Sequence, residues 1–420
     1  MYVPGYYEFF CPVKTIAGHR ALETIPGLLQ GLNSQRPMII TDKGVAAAGL
    51  VGIVHQAIGS DVRIGAIEDG VPPDSELKIV NRLAGVYREK GCDAILAVGG
   101  GSVMDTAKGV NILVSEKAAD LNRFMGAGIL KRPLKPLLAV PTTAGTGSEV
   151  TLVAVIADHD RNLKMFFTSN FLLPDAAILD SRMTLTLPPA ITAATAMDAL
   201  THAIEAYTCL AKNPLSDSHA LLAIELIAQH LLTVIRTPED ADGRLALAVG
   251  ANLAGVAFSN SMVGMVHALG HSVGAVCGVP HGNCMAVLLP YGLEYNMHKN
   301  GHLTAHLLLP LAGDRIYAQT PAHLRAQQVV SVIRQLNQRL HQETDGRHAR
   351  FFKEMTGPDG NAWVPAEQLQ AIAVKALGDG AISYNPEELD LDDLVMVMSH
   401  AWSGTALNRD LVKKGLRVMQ

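Results

Sequence analysis

A chain of 420 residues that is 49% hydrophobic and 17% charged has enough apolar surface for two ordinary domains with substantial cores. A net charge of −5 and an isoelectric point near 6.3 leave no basic footprint for nucleic acid or an anionic membrane surface. The five cysteines (Cys11, Cys92, Cys209, Cys277, Cys284) are scattered without a CxxC pair, which argues against a disulfide framework or a thiolate zinc site and fits a reducing cytoplasm.

The N-terminal stretch MYVPGYYEFFCPVKTIAGHR lacks the basic start and long apolar core of a secretory signal. No apolar run approaches about 18 residues without a polar interruption, so no membrane span is expected. From residue 36 onward, short aliphatic runs alternate with helical patterns. RPMIITD (36–42) reads as a buried strand, VAAAGLVGIVHQAIG as one helix, DVRIGAI as a second strand and SELKIVNRLAGVYREKG as an amphipathic helix. DAILAVGGG and LLAVPTT are further strands, each running into a glycine-containing loop. This alternation predicts a parallel, helix-covered, Rossmann-like sheet.

Two of these strand ends carry the features of a nucleotide site. In AILAVGGGSVMDTAKGV (94–110) a strand meets three glycines and a helix start, with Ser102 and Asp105 spaced as a capping box. Gly100 and Gly101 would let a phosphate approach the backbone, and the helix's positive end would attract it. The run is neither GxGxxG nor a Walker A sequence, and a plain tight turn explains the glycines as well. In LLAVPTTAGTGSEVT (137–151), Thr142, Thr143, Thr146, Ser148 and Thr151 surround two glycines at a strand's C-terminal end, where open α/β sheets bind ligands. Asp42, at the end of the first strong strand, fits either a hydrogen bond to an adenosine ribose or the N-cap of the next helix.

After DSRMTLTLPPAITAAT (180–195) strand signals fade and Ala/Leu-rich helical patterns dominate. The expected organisation is an α/β dinucleotide-binding domain over 1–188 and an all-helical metal- and substrate-binding domain over 189–420. In TAATAMDALTHAIEAYTCL (192–210), Asp198 and His202 stand four apart on one helix face. In MVHALGHSVGAVCGVPHGNC (265–284), His267 and His271 repeat that spacing on a helix that Gly274 and Gly278 should end, and His281 follows a turn that can bring it back. A single histidine on an apolar face is usually a satisfied core residue, but three in one small-residue run each need a polar partner or a metal. One carboxylate with two or three imidazoles and no thiolate matches a catalytic Zn²⁺ or Fe²⁺ centre with an open position. A simple Asp–His hydrogen bond would account for the first pair alone, and spacing does not decide between His267 and His271 as ligand.

With these residues in view, the chain resembles the iron-containing alcohol dehydrogenases, the metal-dependent group that includes lactaldehyde reductase, 1,3-propanediol dehydrogenase and glycerol dehydrogenase. The likeness covers nearly the whole chain and is carried by GGGSVMDTAK, PTTAGTGSEVT, DALTHAIEAY and AGVAFSNSMVGMVHALGHSVGAVCGVPHGNCMAVLLPYGLEYN. It implies that Asp198, His202, His267 and His281 hold Fe²⁺, with Zn²⁺ an alternative in purified samples. His271 then becomes the catalytic residue of a substrate pocket near Phe258. The same resemblance assigns the pyrophosphate of NAD to Gly100, Gly101 and Ser102, the adenosine ribose to Asp42, and the rest of the dinucleotide to Thr142, Thr143, Thr151 and Lys164. The implied reaction is hydride transfer between nicotinamide and a small primary alcohol, diol or aldehyde whose oxygen sits on the metal, in a homodimer or higher homo-oligomer.

Three departures from the family pattern stand out: LNRD (407–410) replaces an Asn-Pro, Asp180–Ser181 replaces an Asp-Pro, and VPPD occupies 71–74. Two other functions would use parts of the same pattern. A dehydroquinate-synthase-like lyase would need a basic pocket for an anionic carbohydrate, whereas AGVAFSNSMVGMVHALGH is apolar. A non-catalytic metal- and nucleotide-binding module would share the ligand set and differ in lacking turnover.

Overall fold

A computed structural model describes residues 3–161 and 163–407. Its contacts divide the chain into two compact units. One comprises Phe10–Leu187 with Glu239–Gly255. The other is built from Pro188–Pro238 and the residues from Val256 onward, with the N-terminal residues up to Phe9. A single cut at 188 therefore does not describe the organisation, because 239–255 return to the sheet-bearing unit.

The described strands all lie in that first unit: β1 (Lys14–Gly18), β2 (Pro37–Ile40), β3 (Ala66–Glu68), β4 (Ala94–Gly99), β5 (Gly126–Ala127), β6 (Leu137–Pro141), β7 (Val153–Asp158), β8 (Leu163–Thr168) and β9 (Ala176–Asp180). Six of them form an all-parallel sheet in the order β1-β9-β6-β4-β2-β3. The other three form a small sheet, β5-β8-β7, in which β7 and β8 are antiparallel. The helices of this unit are α1 (Ile25–Gly31), α2 (Lys43–Ala47), α3 (Leu50–Ile58), α4 (Leu77–Glu89) and α5 (Gly101–Ser115).

Period-two alternation explains why the central strands are apolar without interruption. Met38, Ile40, Ile95, Ala97, Leu137 and Ala139 share one core with residues of α4 and α5. Ile39, Leu96, Val98, Leu138 and Val140 share the other with residues of α1 and α3. Successive side chains take opposite faces, so each strand serves two helical layers. The order reverses between β2, which continues to β3, and β4, which continues to β6 on the other side. The carboxyl ends of β2 and β4 flank the crevice where sheets of this topology bind ligands. Asp42 follows the first and Gly100 the second. The helix expected over 45–59 is instead two helices, because Gly49 takes a left-handed φ of 77° between α2 and α3.

Beyond Asp180 the described residues contain no strand, only an isolated bridge between Thr356 and Ala362. The helices there are α6 (Pro189–Thr208), α7 (Pro214–Arg236), α8 (Ala241–Ser259), α9 (Met265–Cys277), α10 (His281–His306), α11 (Leu308–Gln319), α12 (Arg325–Glu343), α13 (Leu369–Leu377) and α14 (Leu391–Ser403). Two features fix the frame of the helical unit. Helix α6 is buried along nearly all of its length, from Thr192 to Thr208, as expected of a helix packed on every side. Helix α10 carries Pro290 in its interior, which removes the amide that would bond to Ala286 O. Asn337 of α12 donates to that carbonyl at 2.7 Å. Helix α7 is long and apolar enough to cross a membrane by length and composition; it packs against α6, and its Ala223, Ile224, Ile227 and Leu231 are buried.

Candidate functional site

Within the helical unit, α6, α9 and α10 bring four donor side chains together. One ligand atom from each of Asp198, His202, His267 and His281 lies within 4.8 Å of all the others. Asp198 Oδ1 is 3.8 Å from His202 Nδ1, 3.9 Å from His267 Nε2 and 3.2 Å from His281 Nε2. Donors about 2.1 Å from a common ion would be separated by roughly 3–4 Å, so the spacing fits a single divalent metal. The buried Asp198 Oδ1, His202 Nδ1 and His267 Nε2 have no hydrogen-bond partner. Buried polar atoms are almost always satisfied, so three convergent orphans fit an ion better than they fit a protein core.

The protonation states match that reading. Burial opposes ionisation of Asp198, yet the surrounding His202, His281 and His267 outweigh it and hold the carboxyl below its ordinary value. Burial pushes His202 down to about 3 and lowers His267 well below its usual value. An ionised carboxylate and neutral imidazoles are the forms that bind metal.

The local sequence explains the convergence. Small residues let the helices approach closely: a Cβ on Gly282 would sit 2.4 Å from Ala194 O of α6, so a glycine next to His281 allows α10 to start against Asp198. Gly278 ends α9 in the left-handed region (φ 70°), three residues before α10 begins. Glu205, on the same helix as Asp198 and His202, ties α9 down. Its carboxylate accepts from the Val266 amide at 2.8 Å, the His267 amide at 3.3 Å and His267 Nδ1 at 2.5 Å. Burial raises its carboxyl to about 7, against the opposing backbone bonds from Gly264, Val266 and His267. With Nδ1 committed to Glu205, His267 turns Nε2 toward the donor set, the usual arrangement of a metal-bound histidine.

His271 lies one turn further along α9 and outside the four-atom set. Its ring stacks on His281 at 5.2 Å, and its Nδ1 bonds Asp379 Oδ2 at 2.8 Å. Phe258 stacks on His202 at 4.2 Å and packs with Val263, Ala268, Ala381 and Ile382. Ala268, three positions before His271 on α9, belongs to this apolar cluster.

The nucleotide-binding candidates are gathered in the sheet-bearing unit. Gly99 of β4 pairs with Pro141 of β6, so the loops that follow run side by side. A Cβ would lie 3.0 Å from Thr146 Cγ2 at Gly101 and 3.4 Å from Thr143 Oγ1 at Gly100, close to the limit of what the space allows. The capping box expected of Ser102 and Asp105 does not form. Helix α5 starts at Gly101, which puts Ser102 inside its first turn, where the hydroxyl donates to Pro73 O. Asp105 instead accepts from Ser148 Oγ at 3.1 Å and from the Val155 amide at 3.0 Å. The α5 N-terminus is thus left without a side-chain cap, which suits an anion.

The remaining candidates are more engaged with protein. Asp42 caps α2, accepting from the Val45 amide at 2.9 Å. Thr142 and Thr151 are buried, and Thr143 is half-buried. The fully buried Lys108 donates to Thr151 O (2.9 Å), Val153 O (2.8 Å), Thr151 Oγ1 and Ser148 Oγ (both 3.2 Å). Burial pulls its ammonium down to about 8 despite neighbouring Asp105 and Glu149. Lys164 is exposed on β8 and pairs with Asp74 at 3.5 Å. The VPPD departure therefore touches two candidates at once, through Pro73 and Asp74. Asp180 is a buried anchor that accepts from the Leu22 amide and from Arg182. Residues 408–410 of the LNRD departure lie outside the described residues.

Sequence reasoning missed three residues. Glu205 was within reach, since it follows His202 by three positions on the same helix. Lys108 ends the GGGSVMDTAK motif, and only its burial in the fold shows what it holds. Asp379 had no local signal, being 108 positions from the ring it holds.

Two family models match this chain, one on each side of residues 182–191. The model of "Iron-containing alcohol dehydrogenase" matches residues 12–181, and that of "Fe-containing alcohol dehydrogenase family, C-terminal" matches residues 192–402. An NAD-dependent methanol dehydrogenase of Bacillus methanolicus is 31% identical over 399 residues, covering 94% of this chain and 99% of its own. A 1,3-propanediol dehydrogenase of Klebsiella pneumoniae is 35% identical over 367 residues, covering 85% and 94%. Among solved structures, a 1,3-propanediol oxidoreductase superposes with a TM-score of 0.88 at 30% identity, over 94% of this chain and all (100%) of the other.

The Glu205–His267 contact gives a direct test of the donor set. Glu205→Gln is expected to weaken Zn²⁺ binding to metal-free protein by about 10- to 100-fold, measured by calorimetric titration. Unchanged affinity would show that Glu205 only supports the fold.

Proposed function

This chain belongs to the iron-containing alcohol dehydrogenase family and is an oxidoreductase; from that premise we propose that it transfers hydride between NAD(H) and a small primary alcohol, diol or aldehyde. The observation that carries the proposal is the convergence of one carboxylate and three imidazoles, with the donor atoms of Asp198, His202 and His267 buried and without a hydrogen-bond partner. Asp198, His202, His267 and His281 would hold Fe²⁺, or Zn²⁺ where it displaces iron, and the ion would polarise the carbonyl oxygen as a Lewis acid. The small alcohols named for the relatives and the apolar surroundings of Phe258 favour short, uncharged substrates.

This chain's own residues would supply binding, orientation and proton handling. Phe258 would pack against the carbon chain of the substrate, and His271 would hydrogen-bond its oxygen or pass it a proton. The uncapped start of α5 with Gly100, Gly101 and Ser102 would take the pyrophosphate. Thr142, Thr143, Thr151 and Lys164 would line the rest of the dinucleotide site. Asp42, at the switch point of the sheet, would meet the adenosine ribose and repel a 2′-phosphate.

Absorbance at 340 nm, followed with NADH and a panel of short aldehydes, tests the activity. Metal-stripped protein is expected to be inactive and to recover turnover with Fe²⁺ or Zn²⁺; no turnover with any aldehyde after reloading would favour a non-catalytic binding module. The cofactor reading has its own variant. Asp42→Gly removes the carboxylate at a cost of only a few tenths of a kcal/mol as an N-cap, and is expected to narrow the preference for NADH over NADPH. An unchanged preference would mean that Asp42 is a cap and nothing more.

A further inference from the structure

The two histidines of α9 are held in the same way by different parts of the chain. Each turns Nδ1 to a carboxylate, His267 to Glu205 at 2.5 Å and His271 to Asp379 at 2.8 Å. Asp379 follows α13 and opens a 3-10 turn over Gly380–Tyr384, whose Ala381 amide donates to Asp379 Oδ1 at 2.9 Å. Its two oxygens thus have separate tasks. At the far end of the turn, Asn385 Oδ1 accepts from the Met265 amide at 3.2 Å, at the start of α9. Between these two points Ala381 joins Val263 and Ala268 in a buried cluster against which Phe258 and Ile382 pack. The 379–385 segment therefore grips α9 at its N-terminus and again at His271.

We infer that Asp379 is a positioning residue: its carboxylate fixes His271 as the Nδ1–H tautomer and leaves Nε2 as the atom that meets the substrate oxygen. The inference rests on the reading of His271 proposed above. In alcohol oxidation the free Nε2 of that tautomer would take the hydroxyl proton: the O–H bond breaks, the N–H bond forms and hydride passes to NAD⁺, aldehyde reduction being the same steps reversed, with the Nδ1 proton bonded to Asp379 throughout. A ring without that acceptor can take either tautomer and rotate, so the nitrogen facing the substrate is no longer specified. His271 is partly exposed, with 44% of its side chain accessible, so α9 alone does not immobilise it.

The chemistry of the two oxygens separates this role from a purely structural one. Asp379→Asn keeps an oxygen to cap the Ala381 amide but offers His271 an amide donor in place of an acceptor. Asp379→Ser also keeps a capping oxygen and is too short to reach the ring. Both are expected to lower kcat for aldehyde reduction on the order of 10- to 1000-fold, with metal content, KM for NADH and the thermal unfolding midpoint near wild type. Asp379→Glu should recover part of the loss. Wild-type kcat in the Asn and Ser variants, or loss of metal from them, would overturn the inference.

His271→Ala, run in parallel, distinguishes the two readings. If it lowers kcat while Asp379→Asn does not, the positioning role fails and the reading of His271 stands. If it leaves kcat unchanged, both fail. A readout independent of turnover is the ¹⁵N–¹H correlation spectrum of histidine-labelled, zinc-loaded protein, with the His271 signals assigned by their loss in His271→Ala. The wild-type ring should show the Nδ1–H pattern and the Asn variant the Nε2–H pattern; the same tautomer in both would overturn the inference.

Discussion

Three buried donor atoms cannot be left without partners in a protein interior. Asp198, His202, His267 and His281 place their donor atoms within 4.8 Å of one another, three of those atoms being buried without a hydrogen-bond partner. Such a cluster is unfavourable until a cation occupies its centre. Several local features serve the convergence of these side chains: the absent Cβ at Gly282, the left-handed cap at Gly278 and the bond from His267 Nδ1 to Glu205. Each gives up some freedom or some side-chain burial in order to aim a nitrogen or an oxygen inward. The site is a demand that α6, α9 and α10 are built to satisfy.

The sheet-bearing unit meets a different demand. The buried charged groups behind its glycine-rich loops are hydrogen-bonded within the unit: Lys108 makes four hydrogen bonds, Asp105 makes two, and Glu149 accepts from Asn252 at 3.0 Å. These bonds stiffen the loops after β4 and β6 while leaving the first turn of α5 without a side-chain cap. Gly255 and Gly147 approach so closely that a Cβ on Gly147 would lie 2.5 Å from Gly255 Cα, which locks the glycine-rich loop against 239–255. That contact explains why a stretch beyond the expected boundary belongs with the sheet. A rigid loop with unfilled backbone donors is what a phosphate-binding element requires.

How much of this was legible in the sequence depended on whether the cause was local. The parallel sheet could be read because Met38–Ile40, Ala94–Val98 and Leu137–Val140 are apolar on both faces. The i, i+4 pairs of α6 and α9 put Asp198 with His202 and His267 with His271 on shared faces, and the choice of four ligands came from the family resemblance. Spacing stopped short between His267 and His271, which are equivalent until their partners are known. Those partners, Glu205 and Asp379, arrive through tertiary packing. The capping box failed for a one-residue reason: α5 begins at Gly101, so Ser102 and Asp105 sit inside the helix and bond elsewhere. The expected helix over 45–59 failed at Gly49, whose left-handed backbone breaks a pattern that hydrophobic periodicity alone reads as continuous. Strands β1, β7, β8 and β9 owe their place to their partners in the sheets, β1 to β9 and β7 to β8.

The central claim is that the donor cluster is a metal site and that His271 stands outside it. The most direct measurement is an anomalous difference map from crystals of zinc- or iron-loaded protein, collected across the metal edge. The account predicts one peak about 2.0–2.2 Å from an Asp198 oxygen and from one nitrogen each of His202, His267 and His281, with His271 still bonded to Asp379. A peak ligated by His271 in place of His267, or no peak among these four side chains, would contradict it.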